Sequence, residues 1–181
     1  MVEQSIQLLT GQGQVVDGVI CTMEQRHLED FETVWQGVLE ATGQLDVHWM
    51  WDYKLRQSRQ ESRYEAYALE VEALTQGLMF LETQWHRSQV QSAAPLVYVE
   101  ALASAPWNRS YVERPPFFRG VGQTLLQFAR QRSLALGYGG RVGLHSLPES
   151  EMFYRRLQMP EYGDDPEKEG LVYFEYGVLR R

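Results

Sequence analysis

The hydrophobic pattern is clearest between residues 121 and 137, where it predicts a helix. Four apolar residues recur at intervals of three and four positions and therefore share one helical face: Val121, Leu125, Phe128 and Ala129. Gly137 follows this run, as the glycine after a helix commonly does. Gly120 and Gly122 lie on either side of the first residue of this run, so the pattern indicates a glycine-rich turn that opens directly into a helix.

Two further helical patterns lie in the first third of the chain. Residues 24–42 carry an apolar stripe that Gly43 ends. Asp46 has the character of an N-cap for a second helix, which extends to about Gln60. This second helix is dense in aromatic residues, Trp51 among them. Two interpretations stay open: the aromatic residues form core and a dimer surface, or they form the wall of a substrate site.

Alternating or continuous apolar runs predict the strands. In chain order the predicted strands are residues 5–9, 15–23, 63–73, 78–85, 96–103, 141–146 and 171–178. The first two runs form either a hairpin or one strand with a lead-in, and residues 96–103 are the best candidate for a central strand. The segments between them are predicted as a turn at Gln76-Gly77, a polar loop at 86–94, a helix at 149–157 and an acidic loop at 162–170.

This order of elements predicts an α/β fold with a mixed sheet and helices on both faces of that sheet. The chain is 44% hydrophobic and 12% aromatic, which is enough to build a real core. No internal repeat and no linker divides the sequence. We therefore expect one domain that spans residues 1–181.

The balance of charge limits the partners. With 24 acidic and 17 basic residues the formal net charge is −7, which argues against nucleic acid as partner or substrate. The negative field mildly favours a cationic substrate. The alternative is that the acidity is only the ordinary acidity of many bacterial-type proteins.

Targeting and ligand signals are few. No apolar run approaches the ~18 residues of a membrane span, and the N-terminus lacks the basic flank of a signal peptide. Cys21 is the only cysteine, so no internal disulfide can form. None of the histidines at 27, 48, 86 and 145 is followed two to four positions later by a second histidine or a cysteine. We therefore expect a cytoplasmic protein without a membrane partner and without a bound metal.

The turn at residues 117–124 carries the first candidate chemistry. A glycine-rich turn that opens a helix directs several free backbone N–H groups at one point, and this arrangement binds anions, most often phosphate. The turn is not a Walker loop, because no Gly-Lys-Ser/Thr follows, and no third glycine completes a dinucleotide fingerprint. A tight turn without a ligand is the alternative.

This turn and a later Phe153-Tyr154 pair together resemble the GNAT superfamily of N-acetyltransferases. The acetyl-CoA loop of that family reads Gln/Arg-x-x-Gly-x-Gly/Ala before a helix, and a later helix carries Phe-Tyr-x-x-x-Gly-Phe. In this chain Phe117 occupies the Gln/Arg position, Gly120 and Gly122 match the glycines, and Gln158-Met159 replaces Gly-Phe.

The resemblance implies a GNAT-like fold and acetyl-CoA as the cofactor. In that fold two central strands, here 96–103 and 141–146, splay apart, and the pantetheine arm of the cofactor inserts between them. Backbone N–H groups of the glycine turn would hold the phosphates, with the charge of Arg119 in support. The full set of cofactor residues that the resemblance implies is Leu102, Ala103, Phe117, Phe118, Arg119, Gly120, Val121, Gly122, Gln123 and Thr124.

Three residues are candidates for catalysis. By position in the family motif, Tyr154 would protonate the leaving thiolate, and a core tyrosine is the alternative. Glu100 on the central strand is a candidate base, unless it faces an exposed edge or pairs with an arginine. His145 has an ordinary pKa of ~6.5 that suits proton transfer, unless it is a hydrogen-bonded structural histidine. Water could also carry the proton in place of a direct base.

The segment between the central strand and the glycine turn is longer than in the family pattern. Its Trp107, Asn108 and Arg109, together with Trp51, are candidates for binding the acceptor substrate. The alternative is a surface insertion that Trp107 anchors.

The sequence therefore predicts an N-acetyltransferase that transfers acetyl from acetyl-CoA to a primary amine by direct attack in a ternary complex. The acceptor would be a small molecule or a peptide, and a homodimer is compatible with the aromatic helix. One alternative is a GNAT-shaped module that senses CoA, or dimerises, without turnover. Another is a structural α/β protein that binds no CoA.

Overall fold

One sheet runs through residues 3–179, the part of the chain that the computed structural model describes. Its nine strands are β1 (Glu3–Thr10), β2 (Val15–Thr22), β3 (Tyr64–Val71), β4 (Leu74–Glu82), β5 (Val97–Ser104), β6 (Phe118–Arg119), β7 (Val142–Ser146), β8 (Glu161–Asp165) and β9 (Leu171–Tyr176). Their order in the sheet is β6-β1-β2-β3-β4-β5-β7-β9-β8. Parallel and antiparallel pairs both occur, so the mixed sheet predicted from the element order is confirmed.

Among the described residues, five α-helices lie in the four regions where the pattern predicts helices, because the region at 24–42 holds two of them. They are α1 (Gln25–Asp30), α2 (Gln36–Ala41), α3 (Trp51–Gln60), α4 (Val121–Ala135) and α5 (Glu151–Arg156). A short π-helical stretch, Phe31–Trp35, joins α1 to α2, so residues 25–41 are helical throughout. Within residues 3–179, none of these helices has both the length and the apolar character that crossing a bilayer requires.

The described residues divide into two compact units. The first unit contains the chain up to Phe80 and Ala101–Leu125, and the second contains Leu81–Glu100 and the chain from Leu126 onward. The first unit holds a large apolar core in which Trp35 and Trp51 are fully buried. The second holds a small buried cluster of Leu96, Tyr98 and Tyr173.

Aromatic side chains fill much of the core of the first unit. Phe31 lies 5.6 Å from Trp35 and 6.4 Å from Trp51 between ring centroids, in tilted and edge-on arrangements. Trp107 meets Trp35 edge-on at 6.2 Å. Such geometries add to the burial of apolar area, because the positive edge of one ring faces the negative face of another.

The turn between β3 and β4 lies earlier than the sequence pattern predicts. Glu72 and Ala73 form it with positive φ angles of 52° and 62°, whereas Gln76-Gly77 lies inside β4, so the predicted turn there is wrong. The glycine has a different purpose. A Cβ at position 77 would come within 2.8 Å of side-chain atoms of Val121 and Leu125, so Gly77 permits the close approach of α4 to the strand.

The N-cap predicted at Asp46 is also wrong. Residues Leu45–His48 form a 3-10 turn, and α3 begins only at Trp51. The reason is that both oxygens of the Asp46 carboxylate accept hydrogen bonds from the Arg109 guanidinium, at 2.9 and 2.5 Å. A buried charged pair is a stronger demand on this carboxylate than a helix cap.

The central strands of the second unit separate as predicted. The parallel ladder between β5 and β7 joins only Val97 to Val142 and Tyr98 to Gly143. On its other side β7 pairs with β9 along its whole length, from Val142 to Ser146. The ladder between β5 and β7 thus ends after two residue pairs, although both strands continue.

The predicted acidic loop is partly wrong, because its first half is strand β8. This strand pairs with β9, with a register shift between Glu161 and Asp164, and a 3-10 turn at Pro166–Lys168 follows it. The acidic side chains have partners that a loop would lack. Glu161 accepts from Arg155 at 2.7 Å, which balances its charge, and Asp165 accepts a hydrogen bond from His145 at 2.9 Å.

Candidate functional site

The start of α4 presents unpaired backbone donors. Gly120 precedes the helix with φ +82°, a conformation that favours glycine, and its carbonyl accepts from the N–H of Thr124 at 2.8 Å. Among residues 3–179, no acceptor contacts the N–H groups of Val121, Gly122 and Gln123. These are the orphan donors of a helix start, and they can bind an anion.

Other N–H groups of the predicted phosphate turn are already engaged within the protein. The N–H of Phe117 donates to the carbonyl of Trp107 at 3.0 Å, and that of Phe118 donates to Oδ1 of Asn108 at 2.9 Å. The side chain of Phe117 is 58% exposed and lies 6.4 Å from the Trp107 ring. The available donors are therefore those of the first turn of α4, fewer than the sequence predicts.

Arg119 is exposed and lies on β6, next to β1. Its guanidinium donates to the carbonyl of Gly11 at 2.5 Å, and the N–H of Gly11 donates to Phe117 at 3.0 Å. The predicted charge is thus present beside the glycine turn. One of its donors holds the loop after β1, which leaves the others for a ligand.

The three residues of the long connecting segment direct their polar atoms inward. Trp107 Nε1 and Asn108 Nδ2 donate to Oε1 of Gln76 at 2.9 and 3.0 Å. Arg109 is 8% exposed and donates to Asp46 and to the backbone carbonyl of Ser104. The structure therefore places Trp107, Asn108 and Arg109 as the residues that fix this segment to the first unit.

Trp51 lies in the core of the first unit. It is 2% exposed and contacts Phe31 and Trp49 edge-on. Its Nε1 has no hydrogen-bond partner among the described residues. Of the two interpretations of the aromatic helix, this position corresponds to core, whereas Tyr53 on the same helix is 46% exposed.

The first three side chains of β5 are buried, and from Val99 onward buried and accessible side chains alternate. Ala101 and Ala103 are buried, Leu102 is half-buried and Glu100 is exposed. An exposed carboxylate on a strand with neighbours on both sides indicates that this face of the sheet is uncovered at Glu100. Glu100 is thus accessible, as a base that reacts with a substrate has to be.

Tyr154 lies on α5 in the second unit and is buried. Its ring packs 5.4 Å from Phe174 and 5.0 Å from Phe153, and its hydroxyl has no hydrogen-bond partner within residues 3–179. Burial raises the pKa of Tyr154 far above its ordinary value. This phenol therefore keeps its proton at neutral pH and has it available to donate.

His145 on β7 connects two side chains that the sequence did not single out. Its Nδ1 lies 2.7 Å from the hydroxyl of Tyr98, and its Nε2 lies 2.9 Å from Oδ2 of Asp165. Burial lowers the pKa of His145, and the hydrogen bond to Asp165 opposes this only in part. The histidine is therefore neutral at pH 7 and able to accept a proton.

The buried carboxylate of Glu82 fixes the loop after β4, and His86 in this loop packs against Tyr98. Glu82 is fully buried and accepts from the N–H groups of Gln84, Trp85 and His86 at 2.7–2.8 Å, and from Nδ1 of His86. Burial alone would raise the pKa of Glu82, but these hydrogen bonds lower it overall. The His86 ring stacks on Tyr98 at 3.9 Å with an interplanar angle of 5°.

One signal in the sequence pointed to one of these missed residues. Tyr98 lies two positions before Glu100, so strand alternation puts both on one face of β5. His86 lies just beyond the predicted strand 78–85, and its contact with Glu82 depends on how the loop turns back after that strand. Nothing in the sequence pairs Asp165 with His145, because the contact depends on how β8 and β9 add to the sheet.

One group in the first unit combines metal-ligand types. Cys21, His27 and Glu70 are buried, with ligand atoms within 4.8 Å of one another. The N–H of Glu24 donates to Nδ1 of His27 at 2.7 Å, so the ring proton is on Nε2, where it faces Glu70 at 2.7 Å. Arg26 also donates to this carboxylate. A metal on Nε2 would put the proton on Nδ1 against the N–H donor, so the group fits a hydrogen-bonded cluster better than a metal site.

Comparisons with known proteins identify the fold. No family model matches the sequence, and no curated protein matches it. Solved structures, in contrast, do match this chain. A GNAT-family acetyltransferase from Listeria monocytogenes matches with a TM-score of 0.62 at 12% identity, over 94% of this chain and 99% of that chain.

Two further matches are an acetyltransferase with bound coenzyme A and an enzyme that acetylates an antibiotic. The PaiA N-acetyltransferase of Thermoplasma acidophilum, solved in complex with coenzyme A, matches with a TM-score of 0.59 at 12% identity, over 89% of this chain and 99% of that one. An aminoglycoside antibiotic 6'-N-acetyltransferase from Acinetobacter haemolyticus matches with a TM-score of 0.56 at 13% identity, over 81% and 93%. The chain therefore has the fold of the GNAT acetyltransferases, as the resemblance implied.

Proposed function

We propose that this protein is an acetyl-CoA-dependent N-acetyltransferase that acts on a primary amine by direct transfer in a ternary complex. The observation that carries the proposal is the open first turn of α4, with three unpaired N–H groups, in a chain that has the fold of acetyltransferases. Fold alone does not fix an activity, and this turn supplies the chemistry of a site.

The residues at this turn fit the phosphates of coenzyme A. The N–H groups of Val121, Gly122 and Gln123 would donate to phosphate oxygens, and the positive end of the α4 dipole favours their charge. Arg119 adds a cation that is exposed. Leu102 and Ala103 on β5 stay predicted contacts of the rest of the cofactor.

Two proton transfers are required of the protein. Acetyl-CoA, when bound, supplies an acetyl group activated as a thioester. The acceptor amine must lose a proton, because an alkylammonium group with a pKa of ~10.4 is not a nucleophile at neutral pH. We assign protonation of the leaving thiolate to Tyr154, whose hydroxyl has no partner among the described residues and holds its proton.

A small-molecule amine is the acceptor class that the comparisons favour. One structure with this fold is an aminoglycoside acetyltransferase, whose substrates by its name are amino sugars. The net charge of −7 would attract such a polycation. A peptide amine is the second class to test.

A charge change at the first turn of α4 tests cofactor binding. Gln123→Glu puts a carboxylate beside the unpaired N–H groups, which favours the helix but repels a phosphate. We expect acetyl-CoA affinity, measured by calorimetry, to fall by about tenfold, which is about 1.4 kcal/mol. Gln127→Glu, one turn further along α4, is the matched control and should bind as the wild type does.

Thiol release with a panel of amines tests transfer. Release that depends on both acetyl-CoA and an amine supports the transferase. Tight binding without release for any amine supports the sensor alternative instead. Absence of binding, or equal affinity of the Gln123→Glu variant and the wild type, refutes the assignment of the turn and with it the proposed function.

A further inference from the structure

Three side chains of the second unit form a continuous hydrogen-bonded line. The hydroxyl of Tyr98 lies 2.7 Å from Nδ1 of His145, and Nε2 of the same ring lies 2.9 Å from Oδ2 of Asp165. The side chain of His145 is 5% exposed and that of Asp165 is 16% exposed. A carboxylate, an imidazole and a hydroxyl in this order are the elements of a proton relay.

The position of each proton follows from the partners of Asp165. Its carboxylate accepts from Nε2 of Gln89 at 2.9 Å and from the N–H of Glu167 at 2.9 Å. These bonds and the contact with His145 lower the pKa of Asp165, so it is ionised and acts only as an acceptor. His145 therefore carries its proton on Nε2, and the hydroxyl of Tyr98 donates to the lone pair on Nδ1.

Neighbouring side chains of the second unit hold the ring of Tyr98 in place. The ring of His86 stacks flat on Tyr98, and Glu82 fixes His86 through its side chain and backbone. Lys168 lies 5.8 Å above the Tyr98 ring. Tyr98 is thus packed against both residues, and its hydroxyl contacts His145.

The relay begins at the residue pair where the ladder between β5 and β7 ends. Tyr98 and Gly143 are the last residue pair that joins β5 to β7. Glu100, two positions further along the same face of β5, is exposed. Tyr98 itself is 5% exposed and burial raises its pKa most, but Glu100 lies close enough for its charge to raise the pKa of Tyr98 further. A substrate amine bound at the exposed Glu100 would therefore be next to the phenol of Tyr98.

We propose that Tyr98 takes the proton from the acceptor amine and passes its own proton to His145, which Asp165 holds in the accepting orientation. This inference rests on the proposed acetyl transfer and identifies the residue that removes the proton from the acceptor amine. Tyr98 would contact the substrate and is a catalytic residue, whereas His145 and Asp165 act through it.

The protons balance as follows. The ammonium group gives one proton to the Tyr98 oxygen while the O–H proton of Tyr98 moves to Nδ1 of His145, so Tyr98 stays neutral and His145 becomes an imidazolium beside Asp165. As the C–N bond forms and the C–S bond breaks, the nitrogen loses a second proton. Tyr154 gives its proton to the thiolate and regains one from solvent, while the second nitrogen proton and the proton on His145 pass to solvent. The net result is one proton on the thiol and one in solvent, with Tyr98, Tyr154 and His145 all returned to their neutral forms.

Several groups set the charge of His145. Those that face it are Tyr98 from β5, Asp165 from β8, Tyr173 from β9, His86 from the loop after β4 and Lys168 from the turn after β8. Burial lowers the pKa of His145, Asp165 raises it, and Lys168 and His86 lower it again. Since the result is below the ordinary ~6.5, activity should fall only as the pH drops below about 6.5.

Steady-state kinetics against pH test the relay. In Tyr98→Phe we expect kcat to fall by about 10²–10³-fold, the acidic limb to disappear, and the affinity for acetyl-CoA to stay within twofold. Tyr176→Phe is the control, because it removes a hydroxyl that only bonds the carbonyl of Leu157 at 3.0 Å. This control variant should keep the kcat of the wild type and the same fall in activity at acidic pH.

Nitrogen NMR of His145 provides a readout that does not depend on turnover. At pH 7.5 the wild type should show the neutral ring with its proton on Nε2. Asp165→Asn should lower the pKa of His145, because the imidazolium loses its carboxylate. A wild-type ring protonated on Nδ1, or a pKa unchanged in Asp165→Asn, overturns the relay.

The two proposals fail in different ways. A wild type that releases thiol while Tyr98→Phe does so equally fast, with the same pH profile, overturns the relay and leaves the transferase in place. A wild type that releases no thiol with any amine overturns the transferase and the role of the relay in it.

Discussion

Removal of the buried cation at Arg109 is the sharpest test of how the segment after β5 is held. Arg109 is 8% exposed and donates to both oxygens of Asp46, to Oε1 of Gln44 at 2.9 Å and to the carbonyl of Ser104 at 2.8 and 3.0 Å. In Arg109→Met the apolar part of the side chain stays, but these acceptors lose their donor. Asp46, which is 4% exposed, becomes a buried carboxylate without a cation.

The expected loss is large because both partners are desolvated. Breaking a buried ion pair by removal of one partner destabilises a protein by about 3–5 kcal/mol, much of it from the charge left behind. With a urea dependence of about 2–3 kcal/mol per molar, the midpoint of unfolding should move down by about 1–2.5 M. Replacing both partners, as in Asp46→Leu with Arg109→Met, should recover part of the loss, since no charge is then buried alone.

Urea unfolding followed by fluorescence and by circular dichroism measures the shift with two probes. Arg155→Met is the matched control, because Arg155 also makes two bonds to one carboxylate, that of Glu161, at 2.7 and 2.9 Å, but in an exposed position. Solvent screens such a pair, so its loss should be much smaller. If Arg109→Met loses no more stability than Arg155→Met, the buried pair does not hold this segment.

Three further predictions concern the backbone, the thiol and the tyrosines. Gly120→Ala should lower stability by about 1–2 kcal/mol because of the positive φ, whereas Gly37→Ala inside α2 should raise it by about 0.5–1 kcal/mol, both read from urea midpoints. Burial raises the pKa of Cys21 to about 11, so iodoacetamide at pH 8 should label this thiol only after unfolding. Burial also raises the pKa values of Tyr154 and Tyr98 above the unfolded value of ~10. Their contribution to stability is complete below pH ~10 and is lost as the pH rises through the folded values, so the urea midpoint should fall between pH 9.5 and 11.5. A urea midpoint that stays constant between pH 9.5 and 11.5 would contradict this last prediction.

Local patterns predicted the elements whose signals lie within a few residues. Helix α4 ends at Ala135, and Gly137 follows with φ +80°, because the cap chemistry and the apolar face are both contained in one segment. Strand β5 was predicted within one residue at each end, since most of its residues are apolar, as in a central strand.

Predictions were wrong where distant partners decided the structure. Gln76 looked like a turn residue, yet Trp107 and Asn108 bond its side chain from about thirty positions away and keep it within β4. Asp46 looked like a cap but is the partner of Arg109, which lies 63 positions later. Rules that use only neighbouring residues do not show that a distant contact overrides the local structural preference of a residue.

Only part of the candidate site could be predicted from the sequence, for the same reason. His145 could be singled out by its residue type and its place at the end of a strand. Its partners could not, because Tyr98 lies 47 positions before it and Asp165 lies 20 positions after it. The chemistry of an imidazole depends on what its two nitrogens contact, and the sheet brings those contacts together.

The missing side chain at Gly77 makes the first turn of α4 sensitive to a residue far from it in sequence. Any larger residue there would displace Val121 and Leu125, which are fully packed, and would tilt the amide groups that follow Gly120. A scan for ligand-contacting positions would pass over residue 77. Random mutagenesis selected for loss of cofactor affinity should nevertheless recover it, some forty-five positions before the helix that it supports.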